Sequence, residues 1–263
     1  MKFQLKNIIA VMALTLALSS CSKDDETSPT EVITGQGTLK LKFDNTYNGA
    51  NLAMETPYTN SNGEVVKVTK AKYIISNVVL TKEDGSTYVV PKSESYFIVD
   101  ELTPASLTVA IPNVPAGNYT KVKYGIGVDQ AQWELGATGQ GDFLAQAQTA
   151  GMMWSWTAGY KFINFEGTFT TPTNSAATVF RVHTGKTGTD YNYKEVTLTF
   201  PDKALVRTTI SPAVHILTDL SKLIDGTNKI NFSEGASVMG GTKLALITAN
   251  LDNAFVVEHV HND

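Results

Sequence analysis

Short runs of β-branched and aromatic residues recur along the chain from Gly37 onward, and turn-forming residues separate them. The first run, 38–43, alternates apolar and polar side chains, which is typical of a half-buried strand. Many short strands with turns between them predict an all-β fold: an antiparallel β-sandwich, immunoglobulin-like, with one or two short helices. The other predicted strands are 72–80, 88–90, 95–99, 107–111, 119–128, 160–169, 178–183, 193–200, 229–232 and 254–260.

Three segments depart from this strand pattern. Residues 130–150 are rich in Gln, Ala and Gly and predict a long loop, a kind of segment that is often functional in compact domains. Residues 242–253 predict a helix, because the apolar residues there fall on one helical face and Thr242 can cap its start. A second short helix is predicted at 217–224.

The N-terminus resembles the signal peptide of a bacterial lipoprotein. Two lysines precede an apolar run, 8–18, which is too short for a permanent membrane span. The run ends in Leu18-Ser19-Ser20-Cys21, which resembles a lipobox and implies cleavage before Cys21 and acylation of that residue. The alternative is an ordinary signal peptide with an incidental cysteine.

This interpretation divides the chain into three parts. We expect a lipoprotein signal peptide at 1–20, an acylated Cys21 with a flexible tether at 21–35, and one β-sandwich domain at 36–263. The acidic residues 24–26 resemble the surface-export signal of Bacteroidetes lipoproteins. We therefore expect an outer-membrane lipoprotein exposed on the cell surface, with a solvated tether on the periplasmic face as the alternative.

Cys21 is the single cysteine of the chain, and this limits the chemistry of the domain. With Cys21 acylated, neither a disulfide nor a thiolate site remains, so the fold must depend on its hydrophobic core. The formal net charge is −4 and Lys and Arg do not cluster in the sequence, which argues against nucleic-acid binding.

The chain has four histidines, His183, His215, His259 and His261, and imidazole is a common metal ligand. In an extended strand, residues two apart point to the same face, so His259 and His261 could bind one metal ion. Imidazole suits copper, zinc, nickel or iron. His183, at the end of a predicted strand, is the candidate third ligand. The alternatives are two solvated histidines on a frayed tail and a hydrogen-bonded histidine at a strand end.

Trp154 and Trp156 lie two residues apart between glycines. If this segment is extended, both rings lie on one face, where they could either fill the core or take part in chemistry. No spacing of Ser, carboxylate or Gly residues predicts catalysis, and we expect a protein that is not an enzyme. Carbohydrate binding through exposed aromatic rings stays open as an alternative.

The order of several motifs resembles the MbnP-like family, relatives of the periplasmic copper-binding protein encoded with methanobactin systems. The matching segments run from the first predicted strand to the C-terminus. They are GTLKLKF at 37–43, KYIISNVVL at 72–80, VPAGNY at 114–119, GVD at 127–129, GMMWSW at 151–156, GY at 159–160, EG at 166–167, Phe180-x-x-His183 with Gly185, and HVHN at 259–262.

The resemblance implies a β-sandwich, copper binding and a partner, a di-haem enzyme of the cytochrome c peroxidase and MauG type. It also implies that the partner oxidises a tryptophan, Trp154 or Trp156, to kynurenine. The implied copper ligands are His183, His259 and His261. Relatives often have Asn where this chain has Thr157. The rival hypotheses are a carbohydrate- or protein-binding surface lipoprotein without a metal, and a structural envelope lipoprotein.

Overall fold

A computed structural model describes residues 33–263, which form one compact unit from Ile33 to Asp263. The predicted signal peptide, the lipidated Cys21 and most of the tether lie outside the described residues. Among the described residues, the strands are β1 (Gln36–Tyr47), β2 (Ala50–Asn51), β3 (Pro57–Thr59), β4 (Val65–Lys82), β5 (Thr87–Val89), β6 (Tyr96–Asp100), β7 (Thr108–Pro115), β8 (Gly117–Ile126), β9 (Lys161–Thr171), β10 (Asn174–Thr187), β11 (Asp190–Tyr191), β12 (Lys194–Val206), β13 (Ala213–Asp219), β14 (Ser237–Val238) and β15 (Phe255–His261).

These strands form two sheets, and the predicted all-β sandwich is confirmed. The small sheet has the order β15-β13-β1-β2, and β7 pairs with the first half of β1 on the same edge as β2, opposite β13. The large sheet has the order β11-β10-β9-β4-β8-β12, and the short strands β3, β5 and β6 pair with β4 while β14 pairs with β10. Most pairings are antiparallel, but β1 with β13 and β10 with β14 are parallel.

The main core lies between the inner faces of the two sheets. In β1 the alternate residues Leu39, Leu41 and Phe43 are fully buried, as the period-two pattern predicts. The Phe43 ring meets the rings of Tyr73 and Tyr124 from the large sheet edge-on, with centroids 5.9 Å apart in both pairs. Such pairs contribute stability beyond the apolar area that they bury.

A second, smaller core lies on the outer face of the large sheet. The segment from 130 to 160 folds over this face and buries Phe143, Ala147, Met152 and Tyr160 against Phe162 of β9. The expectation of a loop at 130–150 is therefore wrong. The segment contains α1 (Gln130–Glu134) and α2 (Phe143–Thr149), which are too short for the helical period to stand out in the sequence.

Two further predictions need correction. Residues 217–224 are not a helix throughout, because β13 continues to Asp219 and only α3 (Lys222–Asp225) is helical. Residues 229–232 do not form a strand; Lys229 makes an isolated bridge with Asp225, and a 3-10 turn begins at Phe232. The predicted C-terminal helix is α4 (Gly241–Asn250), although Gly240 rather than Thr242 is at its N-cap. Among the described residues, no helix has the length and apolar character needed to cross a membrane.

Candidate functional site

Three histidines meet where the C-terminal strand pairs with β13. His215 of β13 lies directly opposite His259 of β15, and His261 lies opposite Ala213. Strand alternation puts His259 and His261 on one face, as predicted, and the cross-strand pairing adds His215 to that face. The C-terminal tail is therefore a paired strand rather than a frayed end, and Ser211 N donates to Asp263 O at 2.8 Å beyond it.

The three rings converge closely enough to share one metal ion. One ring nitrogen of each histidine lies within 4.8 Å of the others. The Nε2 atoms of His259 and His261 are 3.1 Å apart, and the rings of His215 and His259 stack with centroids 4.2 Å apart. Two nitrogens at about 2.0 Å from a common ion and 3.1 Å from each other subtend about 100° at that ion, which is close to a tetrahedral angle.

A carboxylate positions the innermost of these rings. His215 Nδ1 lies 2.8 Å from Asp44 Oδ2, and Lys42 pairs with the other Asp44 oxygen at 3.4 Å. When Nδ1–H donates to this carboxylate, Nε2 carries the lone pair that a metal needs. Burial lowers the pKa of His215, and the hydrogen bond to Asp44 only partly opposes this effect, which favours the neutral, ligating form of the ring.

The cluster opens toward solvent from one side. The side chain of His215 is 12% exposed, that of His259 is 39% exposed, and His261 is exposed. An ion can therefore reach the three nitrogens without movement of the core. We refer to His215, His259 and His261 as the histidine cluster.

His183 does not belong to the histidine cluster. It lies on β10 of the large sheet, where its Nε2 is 2.7 Å from Glu166 Oε1, and its side chain is 5% exposed. Because β10 and β15 belong to different sheets, the fold does not bring His183 to the C-terminal pair; His215 takes the third place instead. His183 Nδ1 is buried and has no hydrogen-bond partner among the described residues.

Glu166 joins His183 to a cationic neighbour. Its second carboxylate oxygen, Oε2, accepts a hydrogen bond from Lys70 Nζ at 3.0 Å. Burial acts to raise the pKa of Glu166, but the hydrogen bonds from His183 and Lys70 outweigh it and the pKa is lowered. Burial lowers the pKa of His183 despite the opposing effect of Glu166. We therefore assign a neutral His183, with Nε2–H donating to an ionised Glu166.

The two tryptophans do not share a face, because the segment between them is a turn and not a strand. Met153 and Tyr160 form an isolated antiparallel bridge, and Gly159 N donates to Ser155 O at 2.7 Å within the turn. The Trp156 ring stacks on Trp133 of α1, with centroids 4.2 Å apart, and packs against the smaller core. Trp156 therefore has a structural role in holding the 130–160 segment together.

Trp154 points instead toward His183, with ring centroids 5.9 Å apart. Lys161 Nζ lies over the indole at 5.9 Å from its centroid. Gly185 lies against the ring so closely that a Cβ there would come within 3.0 Å of it. The half-buried indole also borders a surface cavity of about 400 Å³, whose other lining residues are Thr157, Ala158, Lys186, Thr187, Gly188 and Met239.

Sequence reasoning missed His215 as a candidate ligand. The only signal in the sequence is the short apolar run Ala213-Val214-His215-Ile216-Leu217, which contains the histidine; its alternation of half-buried and buried positions is seen in the structure. The sequence does not show which other strand this segment pairs with. The pairing of β13 with β15 brings together residues more than forty positions apart.

Comparison with known proteins identifies the family. The family model of MbnP matches residues 36–240, which covers most of the chain and both strands that carry His183 and His215. The solved structure of MbnP from Methylosinus trichosporium is similar to this chain, with 16% sequence identity, a TM-score of 0.49, and coverage of 79% of this chain and 82% of that one. No curated protein matches. From the extent of the family match, the chain belongs to the MbnP family.

Proposed function

We propose that this protein binds copper in the cell envelope, through the histidine cluster. The observation that carries this proposal is the convergence of three ring nitrogens within 4.8 Å at one solvent-open edge. Membership of the MbnP family supports an association with methanobactin systems and a copper-related role. In this proposal the copper is cargo to be held and passed on, and the solvent-open side of the histidine cluster is where it would enter and leave.

The donor set fits copper. Neutral imidazole is a good ligand for copper, and at a given nitrogen site copper(II) binds more tightly than the other divalent first-row ions. The carboxylate of Asp44 holds the His215 ring and offsets one positive charge of a bound ion. An ion held by the three imidazoles would keep one side open to solvent, where a further ligand or a receiving protein could approach.

The second part of the proposal concerns Trp154. We propose that a di-haem partner of the cytochrome c peroxidase and MauG type oxidises a tryptophan to kynurenine. Of the two candidates, we assign this role to Trp154. The support is its position: Trp154 borders an open cavity, while one face of Trp156 is covered by Trp133. Two equivalents of peroxide, activated at the haem of the partner, would be reduced to water while the indole C2–C3 bond is cleaved and each of these carbons gains one oxygen atom. Hydrolysis of the resulting N-formyl group by one water would release C2 as formate and leave kynurenine.

His183 gives this modification a structural context. Its Nδ1 is buried without a partner among the described residues, and its ring lies beside that of Trp154. Kynurenine carries an aniline, whose N–H could donate to this unprotonated Nδ1, and a ketone, whose oxygen could ligate a metal beside it. Thr157 borders the same cavity as Trp154, so the residue that differs from many relatives lies next to the ring in question.

We propose an outer-membrane location through an acylated Cys21, as the N-terminal sequence implies. In this arrangement the tether would let the domain reach a partner in the same membrane. Growth in labelled palmitate followed by mass analysis of the N-terminal peptide tests this anchor. An unacylated mature N-terminus that begins elsewhere than Cys21 would contradict it.

Equilibrium copper titration tests the metal site directly. The full chain carrying Cys21→Ala, which prevents acylation, should bind one copper ion. His259→Ala/His261→Ala should lower the affinity by at least about 100-fold, because two of three ligands are lost. The matched control is His183→Gln, which changes a histidine outside the cluster and should leave the affinity of the unmodified protein unchanged. Equal affinities for wild type and the double variant would refute the site.

Intact mass analysis of protein from its native host tests the second part. The expected result is a gain of a few daltons on the peptide that contains Trp154, with Trp133 unmodified. Because Trp154 and Trp156 share most peptides, fragmentation must assign the change to one ring. A native protein with every tryptophan intact would remove the proposed modification and leave the copper site untouched.

A further inference from the structure

The outer face of the large sheet carries a group of cationic side chains beside Trp154. Lys70 of β4 and Arg181 of β10 lie on either side of Glu166 of β9 in the strand register. Strand alternation puts Arg181 on the same face as His183, which binds Glu166. Lys161 lies over the Trp154 ring on this face. We call Lys70, Lys161 and Arg181 the basic patch.

The basic patch has a net positive charge on an acidic protein. Glu166 can offset one of its three cations, and this carboxylate already accepts hydrogen bonds from Lys70 and His183. The neighbouring Lys72 pairs separately with Asp100 at 3.0 Å. The chain as a whole has a formal net charge of −4, so the charge of the basic patch is opposite in sign to the net charge of the protein.

The cations are close enough to affect one another. Burial lowers the pKa of Lys161, repulsion from Lys70 and Lys72 lowers it further, and Glu166 opposes the change. Arg181 is exposed and the side chain of Lys70 is 37% exposed, so an approaching surface can meet both. An anionic group that contacts the patch would relieve this repulsion.

The shape of the region indicates what kind of anionic surface fits. Trp154 borders a cavity of about 400 Å³ next to the patch, and Lys186 lines the same cavity. A bilayer is flat and would not fill a recess on a sheet face, whereas a side chain that projects from a protein surface would. Aromatic and arginine side chains at the centre of a contact are also typical of protein–protein interfaces.

We propose that the basic patch and the cavity beside Trp154 form the docking surface for a partner protein whose contact surface is acidic, with one projecting side chain entering the cavity. The evidence for the docking surface is the position of the basic patch next to the cavity that Trp154 borders. That the docked partner is the oxidant of Trp154 rests on the proposed function. Opposite charges on the two surfaces would steer the encounter and fix its orientation, and salt would weaken both effects.

The test uses poly-L-glutamate as an acidic polypeptide probe and the full chain with Cys21→Ala. Amide and indole N–H resonances are followed by NMR at low ionic strength. We expect shifts concentrated at 154–161 and 181–186, including the Trp154 indole. Lys161→Gln/Arg181→Glu should weaken the binding by about tenfold, and added salt should weaken it in wild type.

The matched control is Lys121→Gln/Lys123→Glu, which makes the same change of charge on β8 of the same sheet, two strands from Lys161 on β9 and three from Arg181 on β10. It should leave the affinity close to that of wild type. The spectrum of each variant also reports whether it is folded, and Arg181→Gln alone provides a milder change. Equal weakening by patch and control variants, or shifts spread evenly over the surface, would overturn the proposal.

Two further outcomes separate the alternatives. Tighter binding to phosphatidylglycerol–phosphatidylcholine vesicles than to poly-L-glutamate, through the same residues, would replace the protein partner with a membrane surface and overturn the proposal. Copper titration of the patch variant separates this inference from the proposed function. If Lys161→Gln/Arg181→Glu loses docking but keeps its copper affinity, the result supports both the docking surface and the copper site. The His259→Ala/His261→Ala variant should show the opposite result, a loss of copper affinity with docking intact, because it changes only the histidine cluster.

Discussion

The histidine cluster and the Trp154–His183 region use the same pair of groups in two different ways. In both places a carboxylate binds one ring nitrogen of a histidine, at 2.8 Å for His215 with Asp44 and 2.7 Å for His183 with Glu166. The other nitrogen makes the difference. That of His215 faces two more imidazoles at a solvent-open edge, while that of His183 is buried without a partner among the described residues.

This difference shows that a histidine becomes a metal-site candidate through its neighbours rather than through its own hydrogen bond. A carboxylate partner is expected for a ligating histidine, but it is also how a buried structural histidine is satisfied. The histidine cluster is a metal-site candidate because three ring nitrogens converge there. The second region has an aromatic ring beside a cavity and a basic patch, which fits an encounter with another protein better than the binding of an ion by the unmodified chain.

The largest expected effect separates the two histidines directly. His215→Ala should lower copper affinity by about 100-fold or more, because it removes one of three ligands and the one that Asp44 positions. His183→Ala should leave the copper affinity of the unmodified protein unchanged. Competition titration against a chelator of known affinity measures both. The reverse order of effects would move the copper site to the large sheet.

A second prediction separates the two tryptophans by stability. Trp156→Ala should lower the free energy of unfolding by about 2 kcal/mol, because it removes the stack on Trp133 and opens the smaller core. Trp154→Ala should cost less, since that ring already borders a cavity. Urea unfolding of the two variants makes the comparison. A larger loss for Trp154→Ala would show that Trp154 is the structural ring.

A third prediction concerns the carboxylate behind each ring. Asp44→Asn should weaken copper binding by about 10-fold to 100-fold, the usual effect of removing a group that orients a ligating histidine. Glu166→Gln is the matched change on the large sheet and should leave copper affinity unchanged. If both substitutions were silent, Asp44 would be a surface acid that binds His215 without any consequence for the metal.

The smallest expected effect is a difference in pH dependence. Burial lowers the pKa of both His183 and His215 in the folded protein, so the unfolded chain binds more protons below about pH 6.5. Stability should therefore fall as the pH is lowered from about 7 to 5. His183→Gln should reduce this loss more than His215→Gln, because the His183 side chain is 5% exposed and that of His215 is 12% exposed. Metal-free thermal unfolding across this range provides the measurement; a steeper loss in His183→Gln would contradict the assignment.

The two regions also differ in how far the sequence predicts them. The shared face of His259 and His261 follows from strand alternation alone, a local rule that needs no knowledge of partners. His215 joins them only because β13 pairs with β15, a long-range contact that periodicity does not contain. The same rule failed at Trp154 and Trp156, since Gly159 with φ of +88° closes a turn there and sends the two rings apart.

The fold itself was predictable to the extent that its elements repeat a local pattern. The long strands of both sheets show the apolar alternation, or the β-branched runs, that predict them. The segment 130–150 does not, because its helices have five and seven residues and are held by packing on the large sheet rather than by their own propensity. That packing creates the setting of Trp154, which is why the candidate interaction surface was less visible in the sequence than the candidate metal site.

X-ray absorption spectroscopy of the copper-loaded protein tests the central claim most directly. With one copper ion bound to the unmodified chain, the spectrum should contain three imidazole nitrogens at about 2.0 Å, and His215→Ala should remove one of them. A wild-type spectrum that His215→Ala leaves unchanged, or one dominated by sulfur at a longer distance, would contradict the assignment of the site to His215, His259 and His261.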